Sequence, residues 1–165
     1  CGSRRAGAPR SDPSDRCISR DTLATAASRW VREPWQALVV RTLPNPPDKR
    51  FRSYNEGPCP APYILRETMQ WIVERDVTSL VVDLPSLDRA DDGGHLAAHR
   101  EYWGLPPGSD DAAQATRGHA LVTELAYVPD TVPYGLYLLD LQVPAFGADA
   151  APSRPVLYPI REIAA

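Results

Sequence analysis

Eighteen prolines in 165 residues set the first limit on what this chain can fold into. A proline inside a helix removes a backbone donor and clashes with the preceding turn, and in a central strand it breaks the ladder. Regular elements must therefore be short, and many connections extended. Between the prolines the apolar spacing predicts those elements. SRDTLATAASRWV (19–31) places Leu23, Ala26, Ala27 and Trp30 on one helical face, with Ser19 or Asp21 as N-cap. QALVVRT (36–42) is a short β-rich run stopped by the prolines of LPNPPDKR. Residues 61–77 predict a helix with Ile64, Met69, Ile72 and Val73 toward a core.

SLVVDLP (79–85) has the composition of a strand buried on both faces. A third helix should follow Asp91, Asp92, Gly93 and Gly94 and end near Trp103, with GLPPGSDD as a loop behind it. HALVTELAYV, GLYLLDLQVP and RPVLYPI then predict strands, expected to be central because few of their positions are polar. The reading is an α/β fold: a mixed sheet with flanking helices, helix–strand alternation over residues 20–103 and mainly strands over 119–161. Residues 1–18 are small, charged and proline-broken, a poorly ordered tail before one domain over 19–165.

Charge and cysteine usage narrow the function classes. Eighteen basic residues against 21 acidic ones give a net charge of −3, which offers no electrostatic case for nucleic acid. No apolar run approaches the roughly 20 residues that span a bilayer, so no membrane role is expected. Cys1, Cys17 and Cys59 are odd in number and lack C-x-x-C spacing, which predicts no disulfide framework, no thiolate zinc site, and a reducing, cytoplasmic setting. Cys1 stands in place of Met, the mark of a processed product or of a start that lies elsewhere; a lipoprotein terminus is the weaker reading, since no signal segment accompanies it.

Two residues stand out chemically. Glu124 interrupts the apolar run ALVTELAYV, and a buried carboxylate costs several kcal/mol unless it is paired or bound to a cation. His99 follows an acidic, glycine-rich turn, and imidazole with carboxylate is a common zinc or manganese donor set. From spacing alone the ordinary explanations compete well: a satisfied histidine, and a glutamate paired with one of 17 arginines. His95 could share a helical face with His99, but such pairs without further ligands are usually coincidence. His119, five residues before Glu124, should point away from it. Asp83, Asp88 and Arg89 in DLPSLDR suit strand-end loop chemistry and turn capping equally. Cys59, in GPCPAP, is best read as part of a rigid proline turn. No H-E-x-x-H, G-x-S-x-G or phosphate loop is present.

Longer stretches carry a resemblance. VVRTLPNPPDK, SYNEGPCPAPYI, VTSLVVDLPSLDRADDGGHLAAHREYW and TELAYVPDTVPYGLYLLDLQVPAFGADAAPSRPVLYPI resemble, in order, the bacterial cyclase family that includes kynurenine formamidase, from about residue 20 to the end. The resemblance implies a swivelling β/β/α-like fold and metal-dependent hydrolysis of linear or cyclic amides, with a small-molecule amide as substrate. It matches His99, in LAAHREYW, to a metal-ligand histidine, and Glu124, in TELAYV, to a metal-ligand glutamate, for zinc or manganese. His95 falls where relatives commonly carry another residue. The family's main metal motif, H-x-G-T-H-x-D, with a further histidine that can serve as base, is absent, and the chain has three histidines in all.

The expectation is therefore the C-terminal portion of a cyclase-like amidohydrolase, inactive alone. The alternatives are a non-catalytic short homologue acting as a binding or subunit-interface module, and a compact metal site of His95, His99 and Glu124. The family often forms dimers, and a homodimer is the assembly open to this chain.

Overall fold

The computed structural model describes residues 16–30, 35–54, 61–148 and 150–160. Most of the expected tail, the stretch after Trp30, and the GPCP turn with Cys59 lie outside the described residues, as do Cys1 and the Trp30 side chain. The last residues of the expected tail are regular. β1 (Cys17–Ile18) pairs in parallel with β3 (Tyr63–Ile64). That pairing also shortens the second helix, expected from residue 61. Tyr63 and Leu65 donate backbone hydrogen bonds to Arg16 and Ile18, and Ile64 to Leu87. Leu65 is extended, so the helix begins only at Arg66.

α1 (Arg20–Ala27) is capped by Ser19, whose side chain accepts from the Thr22 amide, so Ser19 and not Asp21 is the cap. Leu23 is its buried residue, Ala24 and Ala27 pack partly, and Ala26 is exposed. α2 (Arg66–Val73) buries Thr68, Met69, Trp71 and Ile72. α3 (Ala97–Trp103) ends as expected, at Gly104 in the left-handed region, φ +62°. A Cβ at Gly104 would lie 2.1 Å from Thr116 Oγ1, so glycine is required there twice over, by conformation and by space.

The strands form three small sheets among the described residues. β2 (Ala37–Val40), β4 (Ser79–Val82) and β5 (Leu121–Thr123) form a parallel sheet in the order β2-β4-β5. β4 is the central strand, with Leu80, Val81 and Val82 at 1% exposure or less, as its unbroken apolar run predicts. β6 (Tyr137–Gln142) and β7 (Arg154–Pro159) form a separate antiparallel pair. The α/β class holds, with both kinds of pairing, but the last three strands are not central. β5 is an edge strand, and Leu138 and Tyr158, opposite one another in the β6–β7 pair, are both more than half exposed. Apolar composition cannot tell a buried ribbon from an apolar ribbon at the surface. No described helix is long and apolar enough to cross a membrane.

The core joins α1, α2, α3 and the parallel sheet through Leu23, Met69, Ile72, Leu80, Leu84 and Tyr102. The carboxyl ends of β2 and β4 are locked by a buried ion pair. Asp83 accepts from the Thr42 amide at 2.9 Å and the Thr42 hydroxyl at 3.1 Å. Lys49 Nζ reaches Asp83 Oδ2 at 2.5 Å, with the two side chains 6% and 1% exposed. Removing one partner leaves a buried charge alone, so Asp83→Ala should cost about 3–5 kcal/mol of unfolding free energy. Adding Lys49→Met should recover part of that loss, as denaturant unfolding of the two variants would show.

Candidate functional site

The site lies past the carboxyl ends of β4 and β5, where ligands gather in open parallel sheets. The chain leaves β4 through Asp83–Leu84–Pro85 and reaches Asp88. After the acidic, glycine-rich turn it enters α3 with Leu96 in the left-handed region, φ +46°. The Asp92 carboxylate shapes that turn by accepting from the Gly94 and Leu96 amides at 2.8 and 2.6 Å. α3 is then tied to the start of β5: Tyr102 donates its hydroxyl to the Leu121 carbonyl at 3.2 Å, and Trp103 its ring N–H to the Ala120 carbonyl at 3.0 Å. Arg66 of α2 pairs with Glu101 of α3 at 2.8 Å.

Glu124 was expected within a long strand; it sits just beyond β5. Leu125 adopts φ +56°, which ends the strand and turns its amide to the Leu84 carbonyl, while the Ala126 amide bonds the Val82 carbonyl. The Glu124 carboxylate thereby faces the chain leaving β4 and accepts from the Leu87 amide at 2.9 Å.

His99 and Glu124 converge: Nε2 lies 3.3 Å from Glu124 Oε1, with the side chains 14% and 30% exposed. His95 does not join them. It precedes α3, so the helical i,i+4 relation does not arise, and it lines another cleft with Arg66, Arg100 and Glu101. His119 is exposed on the turn before β5, at the end of that strand opposite Glu124. An apolar cavity of about 530 Å³ between α1, β2 and the β6–β7 pair is also separate, since His99, Asp88 and Glu124 do not line it.

Spacing left the role of Asp88 open between loop chemistry and capping; the structure shows it capping α3 and contacting the His99 ring. The carboxylate, 7% exposed, accepts from the Ala98 amide at 2.6 Å and the His99 amide at 3.2 Å, and it meets His99 Nδ1 at 2.6 Å. Burial pushes Asp88 upward, but the hydrogen bond from the His99 ring, the two amides and the imidazole charge override it and hold the carboxyl below its ordinary range. Burial pushes His99 downward, and the hydrogen bonds and charges of Asp88 and Glu124 more than reverse it, raising the ring to about 9.

The donor chemistry suits a divalent ion in part. For bonds of about 2.0–2.1 Å the edge of a tetrahedral site is roughly 3.4 Å, close to the His99–Glu124 separation. Imidazole nitrogen and carboxylate oxygen are both accepted donors. Asp88 is already committed to the His99 ring, and among the described residues no group of three or more His, Cys, Asp or Glu could hold an ion. These residues supply two donors of a site that needs more.

No family model and no curated protein matches the chain. Solved structures that share its fold include two hydrolases. One, described as a potential metal-dependent hydrolase with cyclase activity, superposes with a TM-score of 0.58 at 15% identity, over 87% of this chain and 58% of that one. The other, described as a predicted metal-dependent hydrolase from Bacillus stearothermophilus, does so with a TM-score of 0.56 at 16% identity, over 86% and 56%. The fold is thus cyclase-like, and the chain spans less than two thirds of the length of either neighbour.

The raised His99 pKa sets the sign of a pH effect. A group whose pKa rises on folding stabilises fully below its ordinary value, 6.5, and that stabilisation is lost as pH passes about 9. Asp88, lowered on folding, stabilises above its ordinary 3.8 and loses that contribution as acid protonates it. In EDTA, the melting temperature of the chain should therefore fall between pH 6.5 and 9 by an amount that His99→Gln abolishes. The same slope in parent and variant would place its origin elsewhere.

Proposed function

We propose that this chain supplies one side of the metal site of a hydrolase acting on linear or cyclic amides, a cyclase-like enzyme of the kynurenine formamidase type. The observation that carries the reading is the convergence of His99 Nε2 and Glu124 at 3.3 Å beyond the carboxyl ends of the parallel strands. Its chemistry agrees with the metal-dependent hydrolases that share the fold. His99 and Glu124 would hold zinc or manganese, and a bound divalent ion supplies Lewis acidity toward an amide carbonyl and toward water.

The chain's own residues account for the rigidity such a site needs. The Leu87 amide holds one oxygen of Glu124, and Asp88 holds His99 from behind. The ring of Trp103 lies beside the imidazole, with centroids 5.3 Å apart, and limits its rotation. The remaining donors, and a group to carry the proton, would come from polypeptide beyond the described residues. A histidine in that role typically contributes a factor of about 10² to 10⁴.

The 165-residue chain alone should hydrolyse N-formylkynurenine or a cyclic amide no faster than buffer containing the same zinc or manganese. A longer protein that includes it, with an H-x-G-T-H-x-D stretch ahead of it, should show metal-dependent turnover. His99→Ala and Glu124→Gln in that protein should each remove most of the metal-dependent part, measured as kcat/KM. Metal-dependent turnover by the short chain, lost on His99→Ala, would show instead that the site here is sufficient.

A further inference from the structure

The Asp88 carboxylate spans two tasks that one carboxylate seldom combines. A capping role would be complete with the Ala98 and His99 amides. The same carboxylate also touches the His99 ring, and that contact, 2.6 Å to Nδ1, is shorter than its 3.2 Å contact with the His99 amide. Asp88 and His99 are thus joined through both backbone and ring. Both neighbouring carboxylates can only accept while ionised, and a neutral ring has one N–H to give; the shorter contact, 2.6 Å at Nδ1 against 3.3 Å at Nε2, assigns it to Asp88. That leaves Nε2 as the nitrogen turned toward Glu124.

We infer that Asp88 is a positioning residue: it fixes the neutral His99 ring with its proton on Nδ1, so that Nε2 presents a lone pair beside the Glu124 carboxylate. The part of this inference that concerns metal rests on the proposed function; the tautomer itself does not. Carboxylates placed behind ligand histidines orient the ring and increase its basicity, and their loss typically weakens metal affinity about 10- to 100-fold.

Asp88→Asn alters the ring contact while keeping the shorter of the two caps, since the oxygen that meets the ring also takes the His99 amide. The amide oxygen can still accept from Ala98, but its NH₂ group would meet Nδ1 and oblige that nitrogen to accept, moving the ring proton to Nε2 and toward Glu124. The readouts are the pair of His99 ring ¹⁵N shifts in the 165-residue chain, recorded in alkaline buffer where the ring is neutral, and, separately at neutral pH, zinc affinity at His99 in the longer protein that carries the H-x-G-T-H-x-D stretch. The parent should show the proton on Nδ1 and the variant on Nε2, with zinc affinity at His99 about 10- to 100-fold weaker in the variant. Neutral His99 protonated on Nε2 in the parent overturns the inference without any variant. So does an Asn variant that keeps the parent tautomer, or that swaps it and binds zinc as tightly. A parent that shows the Nδ1 proton and the swap in the variant, with no zinc at His99 even in the longer protein, upholds the positioning role and removes the proposed function.

Discussion

The ion pair between Asp83 and Lys49 is the point on which the site depends. It lies where β2 and β4 end, and Asp83 also takes both the amide and the hydroxyl of Thr42, so the two strands finish in register. Everything chemical begins within a few residues of it. The Leu84 carbonyl receives the Leu125 amide, the Leu87 amide holds Glu124, and Asp88 holds His99. A buried ion pair is an uncertain source of net stability, because desolvation offsets much of the attraction. Its value here is geometric: Lys49 has one carboxylate to neutralise, and Asp83 can satisfy it only with the strand ends correctly placed.

Two carboxylates flank one imidazole, and their surroundings give them different tasks. Asp88 is deeply buried and spends its oxygens on two amides and a ring nitrogen. Glu124 is nearly a third exposed, and one of its oxygens takes a single backbone amide. The first carboxylate orients; the second retains capacity for a cation. A second proton on His99 supplies positive charge between the two carboxylates, which is why the ring is so basic. That proton neutralises the same pair of carboxylates that the proposed ion would.

Local features of the sequence were legible where their cause is local. Ser19 caps α1, the unbroken apolar run becomes the central strand β4, and Gly104 ends α3. The pairing of His99 with Glu124 came through the resemblance to cyclases; spacing left both residues with ordinary explanations. The ring contact of Asp88 was hidden because it bridges a turn that depends on a left-handed Leu96, a conformation that leucine does not advertise. The same holds for Glu124, whose position follows from a left-handed Leu125 in a stretch that reads as continuous strand. The pairing of Cys17–Ile18 with Tyr63–Ile64 was invisible for another reason: two residues carry no periodicity, and the partner lies more than forty positions away.

The shared use of Asp88 by α3 and by the His99 ring has a consequence for solvent exchange. The amides of Ala98 and His99 are sealed by the carboxylate that holds the ring. Neither can trade its hydrogen for deuterium until Asp88 withdraws, and Asp88 cannot withdraw without releasing the imidazole. The exchange of these two backbone hydrogens therefore registers each release of the His99 ring that begins with Asp88 withdrawing.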